Sequence, residues 1–340
     1  MKNEKPDFSK MTVKQRMSFF EKAYIINPRH TRILERVAHC REYSEIASEP
    51  ECLLIVGESG TGKSTLLERF AQDFPRTVVD GTTHVPVMAA SIPSKPTVKG
   101  LVSHLLKVLG DPCWEKGTEI QQTERYYDLV RECCVELTIL DEFQHFIELH
   151  SDYMIRYVSD WLKNLITETK KPIVLAGTPE CIGVLTGNKP LQRRFSARET
   201  LAPLSWGTGK EDSEFRMFLQ CLEKALPLKE PSNLTDNDTA FRCYRASENG
   251  IIGYLMKIVR RATLLTLQNK REQVTLDDLA KAYTEEIAPD EPGMENPFRV
   301  AMKLLKDPPP PKDNGPKSTN HRVKGKPPRL RAPRILQGDV

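Results

Sequence analysis

The sequence predicts an α/β fold with a parallel central sheet, followed by a small all-helical region. Three short apolar runs begin at residues 53, 137 and 173, and each ends in glycine or polar residues. Amphipathic helical patterns separate the runs, an order typical of buried parallel strands joined by crossover helices. From about residue 212 the apolar spacing is helical throughout, which predicts a small helical domain after the sheet.

The composition favours a protein with reduced thiols and no membrane span. The 340 residues carry a formal charge of +4, which is too mild to indicate nucleic-acid binding by itself. The eight cysteines are scattered without a C-x-x-C pair and no secretory leader pattern is present, so we expect a cytoplasmic location. No apolar run approaches the roughly 20 residues that a membrane span needs.

A glycine-rich segment of the form G-x-x-x-x-G-K-S follows the first apolar run and opens a helical pattern. Its glycines allow a tight turn that points backbone N–H groups at an anion, and the following helix adds its positive end. We expect Lys63 to reach the β- and γ-phosphates of ATP and the Ser64 hydroxyl to bind Mg²⁺. The predicted ATP-binding residues are Gly57, Glu58, Ser59, Gly60, Thr61, Gly62, Lys63, Ser64 and Thr65.

Two carboxylates, Asp141 and Glu142, close the apolar run that begins at Leu137. The carboxyl ends of parallel strands form the ligand-binding edge of such a sheet, so both side chains are expected near the glycine-rich loop. An acid in this place holds hydrated Mg²⁺, a role that we assign to Asp141. The next acid can take a proton from the attacking water, a role that we assign to Glu142.

Thr178 and a pair of arginines are further candidates for the same chemistry. Thr178 ends the third strand, where its hydroxyl could contact the attacking water or the γ-phosphate; the alternative is a cap for the next helix. Arg193 and Arg194 precede a last strand-like run at 198–204. One of them could stabilise charge on the phosphate of an adjacent subunit, or the pair could simply bond surface carboxylates.

These features divide the chain into four parts. Residues 1–48 form an N-terminal helical segment, 49–208 the nucleotide-binding domain, and 209–290 a small all-α lid. From 291 to 340 the chain is Pro-rich and basic, and from Asp307 it holds eight Lys or Arg against three Asp. We expect this tail to be disordered; it could bind DNA phosphates, fold on a protein partner, or be an inert solubilising segment.

The combined motifs resemble those of the TniB and TnsC family, the AAA+ ATPases of DNA transposition. The similar segments are GESGTGKST at 57–65, LTILDEFQHF at 137–146, IVLAGTPE at 173–180 and LQRRFSARETLAPL at 191–204. The resemblance covers about residues 20–290 and implies an AAA+ P-loop NTPase fold that binds ATP with Mg²⁺. It also implies homo-oligomers on duplex DNA that couple a target-selection protein to a transposase.

The residues that would sense nucleotide from the lid and those that would contact DNA are less well defined. Many AAA+ relatives carry a lid arginine that senses nucleotide, but the comparable stretch 250–254 has none, and Lys257 and Arg260 lie further along the helix. The candidate DNA contacts near the second strand are Lys95, Lys99 and Lys107.

Three functions compete on these grounds. The leading hypothesis is an ATP-dependent regulator of transposition, whose subunits assemble head to tail as a ring or filament on DNA and disassemble on hydrolysis. The second is an AAA+ scaffold or helicase and replication loader in which nucleotide binding is mainly structural. The third, a small-molecule phosphotransferase, is disfavoured by Glu142, the helical lid and the basic tail.

Overall fold

A computed structural model of the chain describes residues 6–25, 27–44, 46–94, 96–148, 152–186, 188–207, 213–287 and 295–305. Its centre is a five-stranded parallel sheet in the order β4-β5-β6-β1-β7, which confirms the predicted sheet. The strands are β1 Leu53–Val56, β4 Val87–Ser91, β5 Leu137–Asp141, β6 Ile173–Gly177 and β7 Ala197–Thr200. Leu54 of β1 and Leu140 of β5 both pair with Leu175 of β6, so the three strands end side by side.

A separate two-stranded hairpin precedes β4. It consists of β2 Thr77–Val79 and β3 Thr82–His84, which pair in antiparallel fashion. The sequence indicates a turn at 80–83, but only Asp80 and Gly81 make it, because both adopt positive φ angles of 51° and 79°. This two-residue turn matches the twist of a hairpin, so Thr82 and Thr83 are free to enter the second strand.

Helices cover both faces of the sheet and form the region after it. Those before and between the strands are α1 Val13–Lys22, α2 Pro28–Tyr43, α3 Lys63–Gln72, α4 Val98–Leu109, α5 Glu119–Glu132, α6 His145–Glu148, α7 Asp152–Thr169, α8 Ile182–Thr186 and α9 Lys189–Arg194. Those after the sheet are α10 Glu214–Ala225, α11 Asn237–Ala246, α12 Ile252–Gln268 and α13 Leu276–Glu286. The region after residue 212 is helical in its described residues, as the apolar spacing predicts.

Capping residues explain where several helices begin. Thr12 and Gln15 make a capping box at α1, with the spacing that this motif requires. Helix α2 begins at Pro28, because the Asn27 side chain accepts the His30 N–H at 2.8 Å and proline suits the first helical position. The Asn27-Pro28 pair therefore sets the start of this helix.

The two N-terminal helices pack in different hydrophobic clusters. In α1, Phe20 is fully buried among the helices that follow the sheet, and Arg16 makes an ion pair with Glu272 at 2.9 Å. In α2, Ile33 and Val37 are buried against β1 and α3 instead. The connection between α1 and α2 therefore runs from the helical region to the sheet.

Residues 295–305 lie against the helical region. Phe298 is buried with its ring centroid 6.3 Å from that of Tyr283, and the Arg242 guanidinium donates to the carbonyls of Pro297 and Val300. The basic stretch predicted from Asp307 to residue 340 lies outside the described residues. Among the residues that are described, no helix is both long and apolar enough to cross a bilayer.

Candidate functional site

A cavity of about 350 Å³ lies at the carboxyl edge of the sheet. Its walls come from the loop between β1 and α3, the ends of β5 and β6, the α1–α2 connection, and α10 and α12 of the helical region. Of the predicted ATP-binding residues, those that line it are Ser59, Gly60, Gly62, Lys63, Ser64 and Thr65. The structure therefore gathers the loop, the strand ends and the lid around one space.

The glycine-rich loop has a conformation that depends on its glycines. Gly60 and Gly62 have φ angles of +79° and +98°, in the left-handed region that side chains rarely adopt. A Cβ at Gly57 would lie 2.3 Å from the carbonyl oxygen of Leu201. The loop is further fixed by the Thr61 hydroxyl, which donates to the Glu58 carbonyl at 2.8 Å.

Lys63 is buried inside the loop, with 6% of its surface exposed. Its Nζ donates to the carbonyls of Gly57 at 2.7 Å and Glu58 at 2.9 Å, and both acceptors are neutral. Burial lowers the pKa of Lys63, and the charges of Asp141 and Glu142 oppose that shift. A buried ammonium held by carbonyls at the start of a helix suits an anionic group such as phosphate.

The two predicted acids occupy different positions at the end of β5. Asp141 is buried, and its Oδ1 accepts the Glu142 N–H at 2.8 Å. Glu142 lines the cavity and has a φ angle of +58°, an uncommon conformation for a residue with a side chain. Backbone strain of this kind is concentrated at functional sites, which makes the strand end a candidate for chemistry.

Gln144 is a cavity residue that the sequence analysis did not single out. Its Nε2 donates to the Glu142 carboxylate, and its Oε1 accepts the Thr178 N–H at 3.3 Å. A Cβ at Gly177 would lie 2.7 Å from that Oε1, so the glycine leaves room for the carboxamide. The only sequence signal was a polar residue two positions after Glu142.

Thr178 follows β6 and lines the cavity. It occupies the N-cap position of a short 3₁₀ helix, Pro179–Cys181, without a side-chain cap bond. Its hydroxyl donates to the Glu180 carboxylate, and this hydrogen bond lowers the pKa of Glu180. Contact of the Thr178 hydroxyl with the attacking water or the γ-phosphate stays a prediction.

The α1–α2 connection and the first turn of α2 supply the opposite wall with buried polar groups. His30 is 4% exposed and stacks against Tyr24, with ring centroids 6.3 Å apart. Within the part of the chain that the structure describes, the Tyr24 hydroxyl and both His30 ring nitrogens are buried and make no hydrogen bond of normal geometry, although the His30 ring approaches the Ile25 carbonyl. Burial raises the pKa of Tyr24 to about 12 and lowers that of His30, although the Ile25 carbonyl partly offsets the shift at His30.

Helix α12 closes the cavity over the glycine-rich loop. The Gly253 N–H donates to the Gly60 carbonyl at 2.8 Å, so the lid touches the loop directly. Lys257 and Arg260, one and two turns further along, both line the cavity. Arg260 also pairs with Glu21 of α1 at 3.1 Å. Two cations of α12 therefore line the cavity, and both follow the stretch 250–254 instead of lying in it.

Arg193 and Arg194 end α9 and lie outside the cavity. Arg193 has 71% of its side chain exposed and pairs with Glu49 at 3.0 Å. Arg194 instead donates to the Thr167 hydroxyl at 3.0 Å and to the Lys163 carbonyl at 3.3 Å, both in α7. The structure therefore distinguishes the two: Arg193 is accessible to a neighbouring molecule, and Arg194 holds helices of its own chain together.

Two of the three candidate DNA-binding lysines, Lys99 and Lys107, lie away from the cavity. Lys99 and Lys107 are exposed on α4, where the Lys107 Nζ lies 4.7 Å from the ring centroid of Trp114. Lys95 lies outside the described residues. Their contact with DNA stays a prediction.

The donor set suits Mg²⁺ better than a softer metal. Within the described residues, no group of three or more His, Cys, Asp or Glu side chains could hold an ion by itself. Mg²⁺ is usually held by one or two protein oxygens together with water and phosphates, so the Asp141 carboxylate and the Ser64 hydroxyl fit that pattern.

Comparisons with known proteins agree with this fold. The chain is similar to Cdc6p from Pyrobaculum aerophilum, at 16% identity and a TM-score of 0.59 over 79% of this chain and 70% of that one. It is similar to the Aeropyrum pernix ORC1 protein, solved in complex with DNA, at 15% identity and a TM-score of 0.57 over 79% and 69%. A Walker-type ATPase of Pyrococcus abyssi gives 16% identity and a TM-score of 0.50 over 78% and 75%.

No curated protein matched the chain in sequence. A family model did: the model described as bacterial TniB protein matches residues 16–203, which is more than half of the chain and includes the glycine-rich loop, both strand ends and the arginine pair. The chain thus has an AAA+ ATPase fold, and it belongs to the TniB family.

Proposed function

We propose that this protein is an ATP-dependent regulator of DNA transposition. The observation that carries the proposal is the single cavity in which the glycine-rich loop, the acidic end of β5 and the helical lid meet, in a chain of the TniB family. In this proposal ATP binding drives assembly on duplex DNA, and hydrolysis drives disassembly. The assembled form links a target-selection protein to the transposase.

Different groups of the cavity would bind different parts of the nucleotide. Residues 57–65 would hold the phosphates through backbone N–H groups, Lys63 and the start of α3. The unpartnered polar atoms of Tyr24 and His30 would face the base, which offers both donors and acceptors. Mg²⁺ held by Asp141 and Ser64 would neutralise charge on the phosphates.

Glu142 would act as the base in hydrolysis. Its carboxylate takes a proton from water as the water oxygen bonds to the γ-phosphorus. The bond from that phosphorus to the bridging oxygen breaks, so ADP leaves with the oxygen and inorganic phosphate forms. The Thr178 hydroxyl would contact the water or the γ-phosphate from the end of the neighbouring strand.

An arginine from a second subunit would complete the site. Arg193 suits this role because it is exposed and its pairing with Glu49 is weak in water, whereas Arg194 is bound within its own chain. A contact of this kind joins different surfaces of two copies, so it builds rings or open filaments. Lysines such as Lys99 and Lys107 would then contact DNA phosphates repeatedly, largely without sequence preference.

A scaffold or loader for a helicase or replication is the second candidate. The similarity to Cdc6p and to an ORC1 protein solved with DNA supports it, and duplex DNA as a ligand fits both candidates. In the scaffold, hydrolysis is incidental, so a Glu142→Gln variant would assemble and disassemble as the wild type does.

Electron microscopy of the protein with duplex DNA, with and without an ATP analogue, tests the proposal. Wild type should assemble on DNA only with nucleotide, and Lys63→Ala should abolish assembly. Lys224→Ala removes an exposed lysine of α10 and should assemble normally. Glu142→Gln should remain assembled after ATP is removed. Equal assembly with and without ATP would contradict the proposal.

A further inference from the structure

We propose that Gln144 is a positioning residue for hydrolysis: it holds the Glu142 carboxylate in place and joins it to the end of β6. The inference rests on the proposed role of Glu142 as the base. It assigns a function to a side chain that lies two positions beyond the acidic pair and is 7% exposed.

The hydrogen bonds of Gln144 are shared between two strand ends. The Nε2 group donates to one oxygen of Glu142, after β5, and the Oε1 accepts the backbone N–H of Thr178, after β6. A carboxamide has one donor end and one acceptor end, so it can bridge a carboxylate and an N–H, whereas a carboxylate or an alkyl chain cannot. Glutamine at 144 therefore matches both of its partners chemically.

The bridge fixes the orientation of the base. With one carboxylate oxygen bound to Nε2, the other is left to accept a proton from water in the cavity that Glu142 lines. The positive φ of Glu142 sets the direction of its side chain, and the amide then restricts the remaining rotation. Because Thr178 holds the acceptor end, a movement of the β6 terminus would reach Glu142 through Gln144.

The turn itself does not depend on the Gln144 side chain. The Phe143 N–H donates to the Ala176 carbonyl at 2.9 Å, and the Phe143 ring is fully buried. Removing the carboxamide should therefore leave the turn after β5 in place and release only the carboxylate. This separation makes the inference testable by substitution.

The test compares Gln144→Ala with Gln122→Ala. Gln122 is a fully buried glutamine outside the cavity that also bonds at both ends, to the Ser103 hydroxyl and the Trp114 carbonyl. Gln144→Ala should lower kcat for ATP hydrolysis, on the order of 100-fold if the base is misplaced by an ångström, with KM little changed. Gln122→Ala should leave kcat unchanged. Gln144→Leu keeps the buried volume and replaces the alanine variant if that variant unfolds.

Two further measurements separate positioning from a structural role. In Glu142→Gln protein, Gln144→Ala should cause no additional loss of kcat, because both variants remove the same function. In nucleotide-free protein, the side-chain amide signal of Gln144 in NMR spectra, assigned by its loss in Gln144→Ala, should shift in Glu142→Ala.

The outcomes distinguish this inference from the proposed function. No hydrolysis by the wild type would overturn both. Hydrolysis by the wild type with kcat unchanged or raised in Gln144→Ala would overturn the inference alone, as would an additional loss in the Glu142→Gln background or an unshifted amide signal.

Discussion

The two walls of the cavity are built in different ways. The wall around the glycine-rich loop consists of neighbours in sequence, and the Lys63 ammonium donates to a carbonyl of the loop itself, that of Gly57. The opposite wall joins Tyr24 and His30 with Met256 and Arg260, residues more than 200 positions apart. Its ring nitrogens and hydroxyl are buried without hydrogen bonds of normal geometry among the described residues, whereas the Thr61 hydroxyl and the Lys63 ammonium bond carbonyls of the loop itself.

This difference indicates what each wall contributes. A loop motif of eight residues can bind phosphate in any chain that carries it, so this wall supplies general chemistry. A wall with unpartnered buried polar groups costs stability until a ligand satisfies them, so it supplies recognition. We therefore expect substitutions in the loop to abolish nucleotide binding and substitutions in the opposite wall to change its affinity and selectivity.

The largest effect should follow from Gly57→Ala in the loop wall. The added Cβ would lie 2.3 Å from the Leu201 carbonyl oxygen, which belongs to the backbone and cannot rotate away. The strain should lower stability by about 3 kcal/mol. The displaced loop should lower the affinity for ATP by roughly 100-fold, which is about 2.7 kcal/mol. Thermal unfolding and titration with a fluorescent ATP analogue measure the two effects.

Gly183→Ala is the matched control, because a Cβ there meets no atom within 4 Å. It should be close to wild type in both assays. Normal ATP affinity in Gly57→Ala would contradict the expected difference between the two walls, since it would mean that the loop tolerates distortion as well as the opposite wall does.

The same difference decides how much the sequence could predict. The loop, the strand ends and the caps at Thr12 and Thr275 depend on residues a few positions apart, and their geometry follows the sequence pattern. Gln144 depends on the pairing of β5 with β6, and His30 depends on α1 joining the helical region while α2 joins the sheet. No local pattern records those tertiary relationships, so sequence reasoning missed both residues.

The arginine pair illustrates the same limit. Arg193 and Arg194 are adjacent in sequence and chemically identical, so their pattern leaves both available for a neighbouring subunit. Only the packing of α9 against α7 directs Arg194 to Thr167 and leaves Arg193 at the surface. Which arginine a partner can reach is therefore a tertiary property.

An intermediate effect should follow from His30→Leu in the opposite wall. Leucine fills a similar volume but offers the nucleotide base no hydrogen bond, a loss of about 1–3 kcal/mol for a buried partner. The affinities for ATP and ADP should fall together, by roughly tenfold, and discrimination against GTP should narrow. His104→Leu, at a half-buried histidine outside the cavity, should leave all of these unchanged. Equal loss in both variants would mean that His30 is only a packing residue.

His30 should also make stability depend on pH. Burial holds its folded-state pKa below the ordinary value of 6.5, so between these values the unfolded chain binds a proton that the folded chain does not. The contribution is constant above about pH 6.5 and is lost as the pH falls towards the folded-state pKa. The free energy of unfolding should therefore fall between pH 7.5 and 5.5, and less steeply in His30→Leu.

The smallest effect should distinguish Arg260 from its neighbour Arg261 on α12. Both make ion pairs, Arg260 with Glu21 and Arg261 with Glu285, but of the two only Arg260 lines the cavity. Each pair is more than a third exposed in at least one partner, so the loss of either should cost at most about 1 kcal/mol of stability. Arg260→Ala should also weaken ATP binding by roughly fivefold, which corresponds to about 1 kcal/mol, whereas Arg261→Ala should not.

Calorimetric titration with ATP and ADP then shows which part of the nucleotide Arg260 contacts. A loss of affinity confined to ATP would put Arg260 at the γ-phosphate, and an equal loss for both nucleotides would put it at the base or ribose. Identical ATP binding by both variants would mean that Arg260 does not contribute to nucleotide recognition. Recognition by the opposite wall would then depend on Tyr24, His30 and their neighbours.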